Sequence, residues 1–195
     1  AASDVYKRQE LDSNVSRIRN NVSRLDKYLK KIVEFSSISS DKRTEVLRPL
    51  EEIVNEVLEN YNNAENVEKI NVSIPDKAKS VPLEAETWTV ILNNLVSNSI
   101  RYNSNPLIEI EINASQDITG RTFKMKDNGD GIQPDQIRHI FNIFYRGDER
   151  SEGSGLGLFI TQNCVDKLNG TISVKSQHGN GTTVEIKLPH IFSSN

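Results

Sequence analysis

The first part of the chain carries an apolar repeat that predicts a long amphipathic helix. From Leu11 to Ile32 the apolar residues follow one another in alternating steps of four and three, at Leu11, Val15, Ile18, Val22, Leu25, Leu29 and Ile32. Such a heptad repeat places one apolar stripe on an otherwise polar helix, and that stripe is buried against a partner helix. Two arrangements would cover it: a second chain, or a fold back onto the rest of this chain. Ser36 to Asp41 then predict a polar linker.

The remaining sequence predicts strands that have one buried face. Apolar and polar residues alternate at 69–74, 108–112, 123–126, 171–175 and 182–188. A sheet covered on both faces would have continuously apolar strands instead. A short strand is also predicted at Val46-Leu47. The alternation therefore favours an α+β fold in which helices cover only one side of the sheet.

Three segments whose apolar residues have helical spacing are predicted to cover that side of the sheet. One begins at Pro49, one spans 84–102, and one follows Gly157 and ends at Asn169-Gly170, a common helix stop. We predict a two-layer α/β sandwich with three helices on one face of the sheet, preceded by the long N-terminal helix.

The composition of the chain limits which binding partners and which cellular compartment are to be expected. Lys and Arg number 24 against 27 Asp and Glu, a net charge of −3, which argues against nucleic acid as the main partner. The longest apolar run, near Val90 to Leu92, is too short to span a bilayer. A single cysteine, Cys164, favours a reducing, cytoplasmic setting. We expect contact with a membrane only through segments upstream of this chain, and we expect residues 1–9 to be a non-native extension.

The first cluster with chemical potential lies on the predicted helix 84–102. Asn94 and Asn98 are four residues apart and share a face, with Arg101 and Tyr102 on its next turn. An amide oxygen can ligate magnesium without adding charge, and a cation can contact phosphate oxygens. Two solvated asparagines remain the alternative at this point.

The second cluster is Asp127-Asn128-Gly129-Asp130-Gly131-Ile132, which directly follows a predicted strand. A carboxylate can accept a hydrogen bond from an exocyclic amine, and glycines let the backbone approach a flat ring. Taken alone, the segment could equally be a tight turn or a degenerate calcium loop.

Two further clusters flank a polar stretch at 147–152. Gly153, Gly155 and Gly157 precede a helix, whose N-terminal amides and dipole suit a phosphate. They follow a polar loop and not a strand, so the dinucleotide-binding fingerprint does not apply. Phe141 and Phe144 would anchor the base of a lid, or be ordinary core aromatics.

In this order and spacing, with Gly179-Asn180-Gly181 and Thr182 closing the pattern, the clusters resemble the GHKL nucleotide-binding superfamily, specifically sensor histidine kinases, over residues 44–189. The resemblance implies a mixed sheet and an ATP-binding catalytic domain at 41–192. It also implies that residues 10–40 are the second helix of a dimerisation hairpin and its linker. The implied cofactors are ATP and Mg²⁺.

The resemblance also implies roles for individual residues. Asn98 would ligate magnesium with Asn94 nearby, and Asp127 would accept from the adenine amine. Asn94 and Arg101 are the implied catalytic residues. The implied nucleotide-binding set is Asn94, Asn98, Arg101, Tyr102, Asp127, Gly129, Gly131, Ile132, Phe144, Arg146, Gly153, Gly155, Leu156, Gly157 and Thr182.

Position 94 favours a kinase over an ATPase. Members of the superfamily that hydrolyse ATP carry a glutamate there to activate water, whereas an amide has no useful basicity. A neutral imidazole is itself a nucleophile, so positioning ATP and neutralising its charge is sufficient for transfer to histidine. We therefore expect a protein-histidine kinase fragment whose partners are a second copy, through the N-terminal helix, and a response regulator.

The acceptor histidine of such kinases, in a motif like HExxxP, is missing from this sequence. His139, His178 and His190 all lie outside the N-terminal helix, and we interpret them as incidental. The fragment is therefore expected to bind Mg-ATP without phosphorylating itself. Two alternatives stay open: an anti-sigma-type serine kinase of the same fold, and a nucleotide-binding or docking module without phosphotransfer.

Overall fold

The computed structural model describes residues 46–61, 70–147 and 154–190, together with seven helical residues nearer the N terminus: Asn14, Val15, Ile18, Arg19, Val22, Leu25 and Val33. Val15, Ile18, Val22 and Leu25 of the predicted stripe are between 46 and 63 % exposed. The rest of the predicted helix, the linker and residues 1–9 lie outside the described residues, so the long helix stays a prediction. Among the described residues, no helix combines the length and apolar character needed to cross a bilayer.

The described α-helices and strands follow the predicted order, with two additions. They are β1 (Leu47–Pro49), α1 (Leu50–Glu59), β2 (Ile70–Ser73), α2 (Asp76–Lys79), β3 (Pro82–Glu84), α3 (Ala85–Arg101), β4 (Ile108–Asp117), β5 (Gly120–Asp127), a 3₁₀ turn (Ile137–His139), α4 (Gly157–Lys167), β6 (Thr171–Ser176) and β7 (Thr182–Pro189). The short α2 and β3 were not predicted. Pro49 is the last residue of β1 and the N-cap of α1, so the helix begins at Leu50, one residue later than predicted.

The main sheet is mixed, as the resemblance implies. Its strand order is β2-β4-β5-β7-β6, with β2 parallel to β4 and the other neighbours antiparallel. β1 and β3 form a separate antiparallel pair beside α1 and α3. Because β4, β5 and β7 occupy the centre, the loops at their ends lie close together and can form a site.

Alternation along the strands determines which face of the sheet is covered. In β4, Ile108, Ile110 and Ile112 are buried, while Glu109 and Glu111 between them are exposed. The buried face packs against α1, α3 and α4 in a single core that contains Trp88 and Phe123, whose ring centroids are 4.8 Å apart. This confirms the predicted two-layer sandwich with three long helices on one face.

Candidate functional site

All four clusters meet at one end of the sandwich around a cavity of about 400 Å³. It is bounded by the C-terminal half of α3, the end of β5 with its following loop, the start of α4 and the turn between β6 and β7. The predicted residues that line it are Asn94, Asn98, Arg101, Tyr102, Asp127, Gly131, Ile132, Arg146, Gly155, Gly157 and Thr182. Positions almost ninety residues apart in the chain therefore share one cavity wall.

The carboxylate of Asp127 is held by donors from three separate elements. Its Oδ1 accepts the backbone N–H of Gly129 at 2.9 Å and that of Thr182 at 3.1 Å. Its Oδ2 accepts the hydroxyl of Ser99, on α3, at 3.1 Å. The loop, β7 and α3 thus fix one half-buried acceptor in the cavity wall.

The loop after β5 runs so close to its neighbours that side chains would not fit at its glycines. A Cβ added at Gly129 would lie 2.6 Å from the carbonyl oxygen of Tyr102 and 3.0 Å from Asp127 Oδ1. Gly131 has φ +70°, and a Cβ there would collide with the carbonyl of Gln177. Close packing of the loop therefore requires glycine at both positions, and the backbone of Gly131 borders the cavity that Asp127 also lines.

Side chains next to these glycines hold the loop against the segment that follows α3. The carboxylate of Asp130 accepts both the N–H and the hydroxyl of Ser104, each at 2.9 Å. The amide oxygen of Asn128 accepts from Asn103 Nδ2 at 2.8 Å and from the N–H of Glu109 at 3.0 Å. Asn128 and Asp130 thereby restrain the backbone that carries Asp127, a role not predicted from the sequence.

The predicted pair of amides lies on α3 opposite the start of α4. Asn94 is 5 % exposed, and a Cβ added at Gly157 would lie 3.3 Å from its Oδ1. The side chain of Asn94 therefore packs against the first residue of α4, while Asn98 lines the cavity one turn later. Arg101 and the 38 % exposed Tyr102 continue this wall.

This donor set fits a hard divalent cation that is shared with a ligand. Amide oxygens suit magnesium, which usually keeps several ligands from water or phosphate. In the part of the chain that the structure describes, no group of three His, Cys, Asp or Glu could hold a metal alone. A cation at Asn98 would therefore need ligand oxygens to complete its coordination.

Three predicted nucleotide-binding residues are described but do not line the cavity, and one is not described. Leu156 is 2 % exposed and belongs to the core, with its N–H donating to Ser154 Oγ at 3.2 Å. Phe144 is 56 % exposed with φ 63°, and its backbone packs against Gly155. Gly129 lies behind Asp127, and Gly153 lies outside the described residues.

Several cavity residues were not predicted from the sequence. Ser99 lines the wall beside Asp127, Gln136 Nε2 donates to the carbonyl of Gly147 at 2.9 Å, and His178 lines the cavity from the turn after β6. The sequence offered a signal only for His178, which adjoins the predicted Gly179-Asn180-Gly181 turn.

A half-buried tyrosine, Tyr61, also supports α3. The hydroxyl of Tyr61 donates to the carbonyl of Asn93 at 3.3 Å. Burial raises the pKa of Tyr61, and a hydrogen bond with Ser97 partly opposes that rise. Tyr61 therefore braces the helix at the residue before Asn94.

Known proteins that are similar in sequence to this chain include a histidine kinase and a sensor protein. The chain is 32 % identical over 182 residues to the methanogenesis regulatory histidine kinase FilI of Methanothrix harundinacea, covering 90 % of this chain and 20 % of FilI. It is 39 % identical over 103 residues to the sensor protein SrrB of Staphylococcus aureus, covering 51 % of this chain and 18 % of SrrB. The chain thus spans about a fifth of the length of these relatives.

Solved structures show the same fold. The Acinetobacter baumannii histidine kinase AdeS superposes with a TM-score of 0.67 at 20 % identity, over 87 % of this chain and 80 % of AdeS. Full-length ShkA in complex with AMPPNP gives a TM-score of 0.68 at 21 % identity, over 91 % of this chain and 38 % of ShkA.

A family model described as histidine kinase-, DNA gyrase B- and HSP90-like ATPase matches residues 83–191, more than half of the chain. Its range contains the whole predicted set of site residues, from Asn94 to Thr182. Within this family the similar proteins are kinase-type members, since they are named as a histidine kinase and a sensor protein. The chain therefore belongs to the histidine kinase-, DNA gyrase B- and HSP90-like ATPase family and carries the catalytic domain found in sensor histidine kinases.

Proposed function

We propose that this domain binds Mg-ATP in the cavity and donates the γ-phosphate to a histidine on a dimerisation helix in two-component signal transduction. The observation that carries the proposal is the pairing of Asp127 and bare glycine backbone with Asn94 and Asn98 around one cavity. A fixed carboxylate acceptor suits a purine amine, and amide oxygens suit the cation of a metal–triphosphate.

At the base end of the cavity, Asp127 would accept from the 6-amino group of adenine. Its side chain is already fixed by three donors, so little conformational freedom is lost on binding. The backbone at Gly131 would face the ring, with Ile132 as an apolar neighbour, while Gly129 would support Asp127 from outside the cavity lining.

At the phosphate end, the chain's own cations and amides would position the triphosphate. Arg101 and Arg146 both line the cavity and would neutralise phosphate charge. Asn98 would ligate Mg²⁺, with Asn94 beside it, and such an ion would neutralise charge on the phosphate oxygens. The start of α4 at Gly157 presents helix N-terminal amides on the same side.

Position 94 also supports transfer over hydrolysis. Its buried amide cannot deprotonate water. Among the described residues, the two carboxylates that line the cavity are both held by donors: Asp127 as described, and Asp130 by Ser104. His139 and His190 lie outside the cavity lining, and His178 adjoins Gly131 at the base end. The acceptor is therefore proposed to come from a different segment.

The proposed context follows from this role. We propose that residues 41–192 form the ATP-binding domain and residues 10–40 part of a dimerisation hairpin and its linker. A second copy would pair through the N-terminal helix, a response regulator would receive the phosphate, and the domain would work in the cytoplasm.

Titration with a fluorescent ATP analogue, with and without Mg²⁺, tests the proposal. We expect Mg²⁺ to tighten binding to the unaltered chain, and Asn98→Ala to abolish that enhancement because the variant lacks the amide ligand. Asn113→Ala, on the exposed face of β4, is the matched control and should keep the enhancement. An Asn98→Ala variant that still responds fully to Mg²⁺ would contradict the assigned metal site.

Labelling with γ-³²P-ATP tests the source of the acceptor. The chain alone should bind ATP without becoming labelled, whereas a cognate hairpin that carries its own histidine should be labelled when mixed with it. Labelling of His139, His178 or His190 would contradict the proposal. Labelling of serine on a partner protein would favour a serine kinase of the same fold, and failure to bind any nucleotide would favour a docking module.

A further inference from the structure

The hydroxyl of Ser99 is placed unusually for a serine inside a helix. Ser99 is 5 % exposed, lies one residue after Asn98 on α3, and also lines the cavity. Serine within a helix often donates to the carbonyl four residues earlier. Here the hydroxyl hydrogen goes to Asp127 Oδ2, 28 residues away in the sequence. The contact therefore joins the helix that carries the amides to the proposed base end of the cavity.

The other hydrogen bonds of Asp127 limit how its carboxylate can meet a ligand. An ionised carboxylate offers about four acceptor positions, two on each oxygen. The N–H groups of Gly129 and Thr182 occupy both positions on Oδ1, and Ser99 occupies one on Oδ2. One position on Oδ2 remains for a donor from the cavity.

We infer that Ser99 is a positioning residue that gives the site its preference for purines with a 6-amino group. By holding Oδ2, it directs the remaining acceptor position of Asp127 at the amine of adenine. A purine without that amine leaves the acceptor position of Asp127 unpaired. A 6-oxo purine places a second acceptor against it. Both situations lower the affinity. The inference rests on the proposed ATP-binding function and adds the residue that sets base selectivity.

A purely structural role for Ser99 makes a different prediction. If the hydroxyl only joined α3 to β5, its removal would weaken every nucleotide alike or lower stability alone. If it acts through Asp127 on the amine, its removal should matter only for nucleotides that carry the amine. Ser99→Ala suits the comparison because alanine adds no volume and favours helix.

The experiment measures the dissociation constants of Mg²⁺ complexes of ATP, purine riboside triphosphate, which lacks the amine, and inosine triphosphate, which carries a 6-oxo group. We expect Ser99→Ala to weaken ATP binding by about tenfold and to leave purine riboside triphosphate within about twofold. The preference for ATP over inosine triphosphate should fall by a similar factor. Ser173→Ala, exposed on β6, should change none of these values.

Thermal unfolding of each variant shows whether it is folded. Ser99→Cys provides a second variant, because a thiol is a weak donor, and its preference for ATP over inosine triphosphate should lie between those of the serine and alanine forms. Equal weakening of all three nucleotides by Ser99→Ala, or no weakening of any, would overturn the inference while ATP binding itself stands. Absence of ATP binding by the unaltered chain would overturn both the proposed function and this inference.

Discussion

Two aspartates end neighbouring strands of the sheet, at its opposite ends, and each accepts three hydrogen bonds. Asp117, the last residue of β4, accepts from the N–H and hydroxyl of Thr119 at 2.7 and 2.6 Å and from the N–H of Gly120 at 3.2 Å. Asp127, the last residue of β5, accepts from Gly129, Thr182 and Ser99. The donors of Asp117 all lie within three residues, whereas those of Asp127 come from three elements.

The origin of the donors distinguishes an aspartate that closes a hairpin turn from one that belongs to a binding site. A carboxylate satisfied by its own turn closes a hairpin and is complete without the rest of the fold. A carboxylate satisfied from a loop, a strand and a helix exists only in the folded domain, and it keeps an acceptor position toward a cavity. The two aspartates are the same type of residue and accept the same number of hydrogen bonds. What distinguishes them is how far away in the sequence their donors lie.

The largest expected effect is on ATP affinity, when the charge of each aspartate is removed in turn. Asp127→Asn should weaken ATP binding on the order of tenfold to a hundredfold, because an amide replaces one acceptor oxygen with a donor that faces N–H groups or the adenine amine. Asp117→Asn should leave binding within about twofold. Titration of both variants with the ATP analogue checks this, and comparable affinities would mean that Asp127 does not contact the base.

Substitution of one glycine at each end should separate stability from binding. At the hairpin, Gly120 has φ +145° and an added Cβ would collide with the carbonyl of Leu188, so Gly120→Ala should lower the free energy of unfolding by about 2 kcal/mol. ATP affinity of the folded fraction should not change. At the cavity, Gly129→Ala would push against Tyr102 and Asp127, so affinity should fall.

Chemical denaturation combined with titration measures both quantities for each glycine variant. A Gly120→Ala variant with impaired ATP binding, or a Gly129→Ala variant with normal binding, would break the distinction between the two ends.

The smallest effect concerns the pH dependence of the hairpin. Hydrogen bonds from the hydroxyl and N–H of Thr119 hold the pKa of Asp117 below its usual range. A carboxyl whose pKa is lowered by folding stabilises the fold above its unfolded pKa, and this stabilisation disappears as pH falls through its folded pKa. The unfolding midpoints of the unaltered chain and Asp117→Asn should therefore differ slightly at neutral pH and converge as the pH falls through the lowered pKa of Asp117. A difference that widens on acidification would contradict this.

Most of the sheet was predictable because one face is buried. Strict alternation at Ile108, Ile110 and Ile112 can only belong to a strand with one apolar face. Periodicity could not reveal α2 or β3, which contain four and three residues. The mixed character of the sheet came from the family resemblance, since alternation does not tell a parallel pair from an antiparallel one.

The site was predictable where its chemistry is local in sequence. Asn94 and Asn98 share a helix face, and Asp127 precedes glycines, so both signals are visible in short motifs. Ser99 joins the cavity wall through a contact with Asp127 that is made only after folding, which no short motif records. Leu156 shows the converse, since a residue inside a glycine-rich motif turned its side chain into the core.

The buried aromatic pair of the core has a practical consequence. Trp88 is the only tryptophan of the chain, is 1 % exposed, and lies on the same helix as Asn98 without lining the cavity. Its intrinsic emission should shift to longer wavelength when the core opens to water and stay constant when the cavity fills. The molecule therefore contains an optical probe that reports the integrity of the core separately from the occupancy of its pocket.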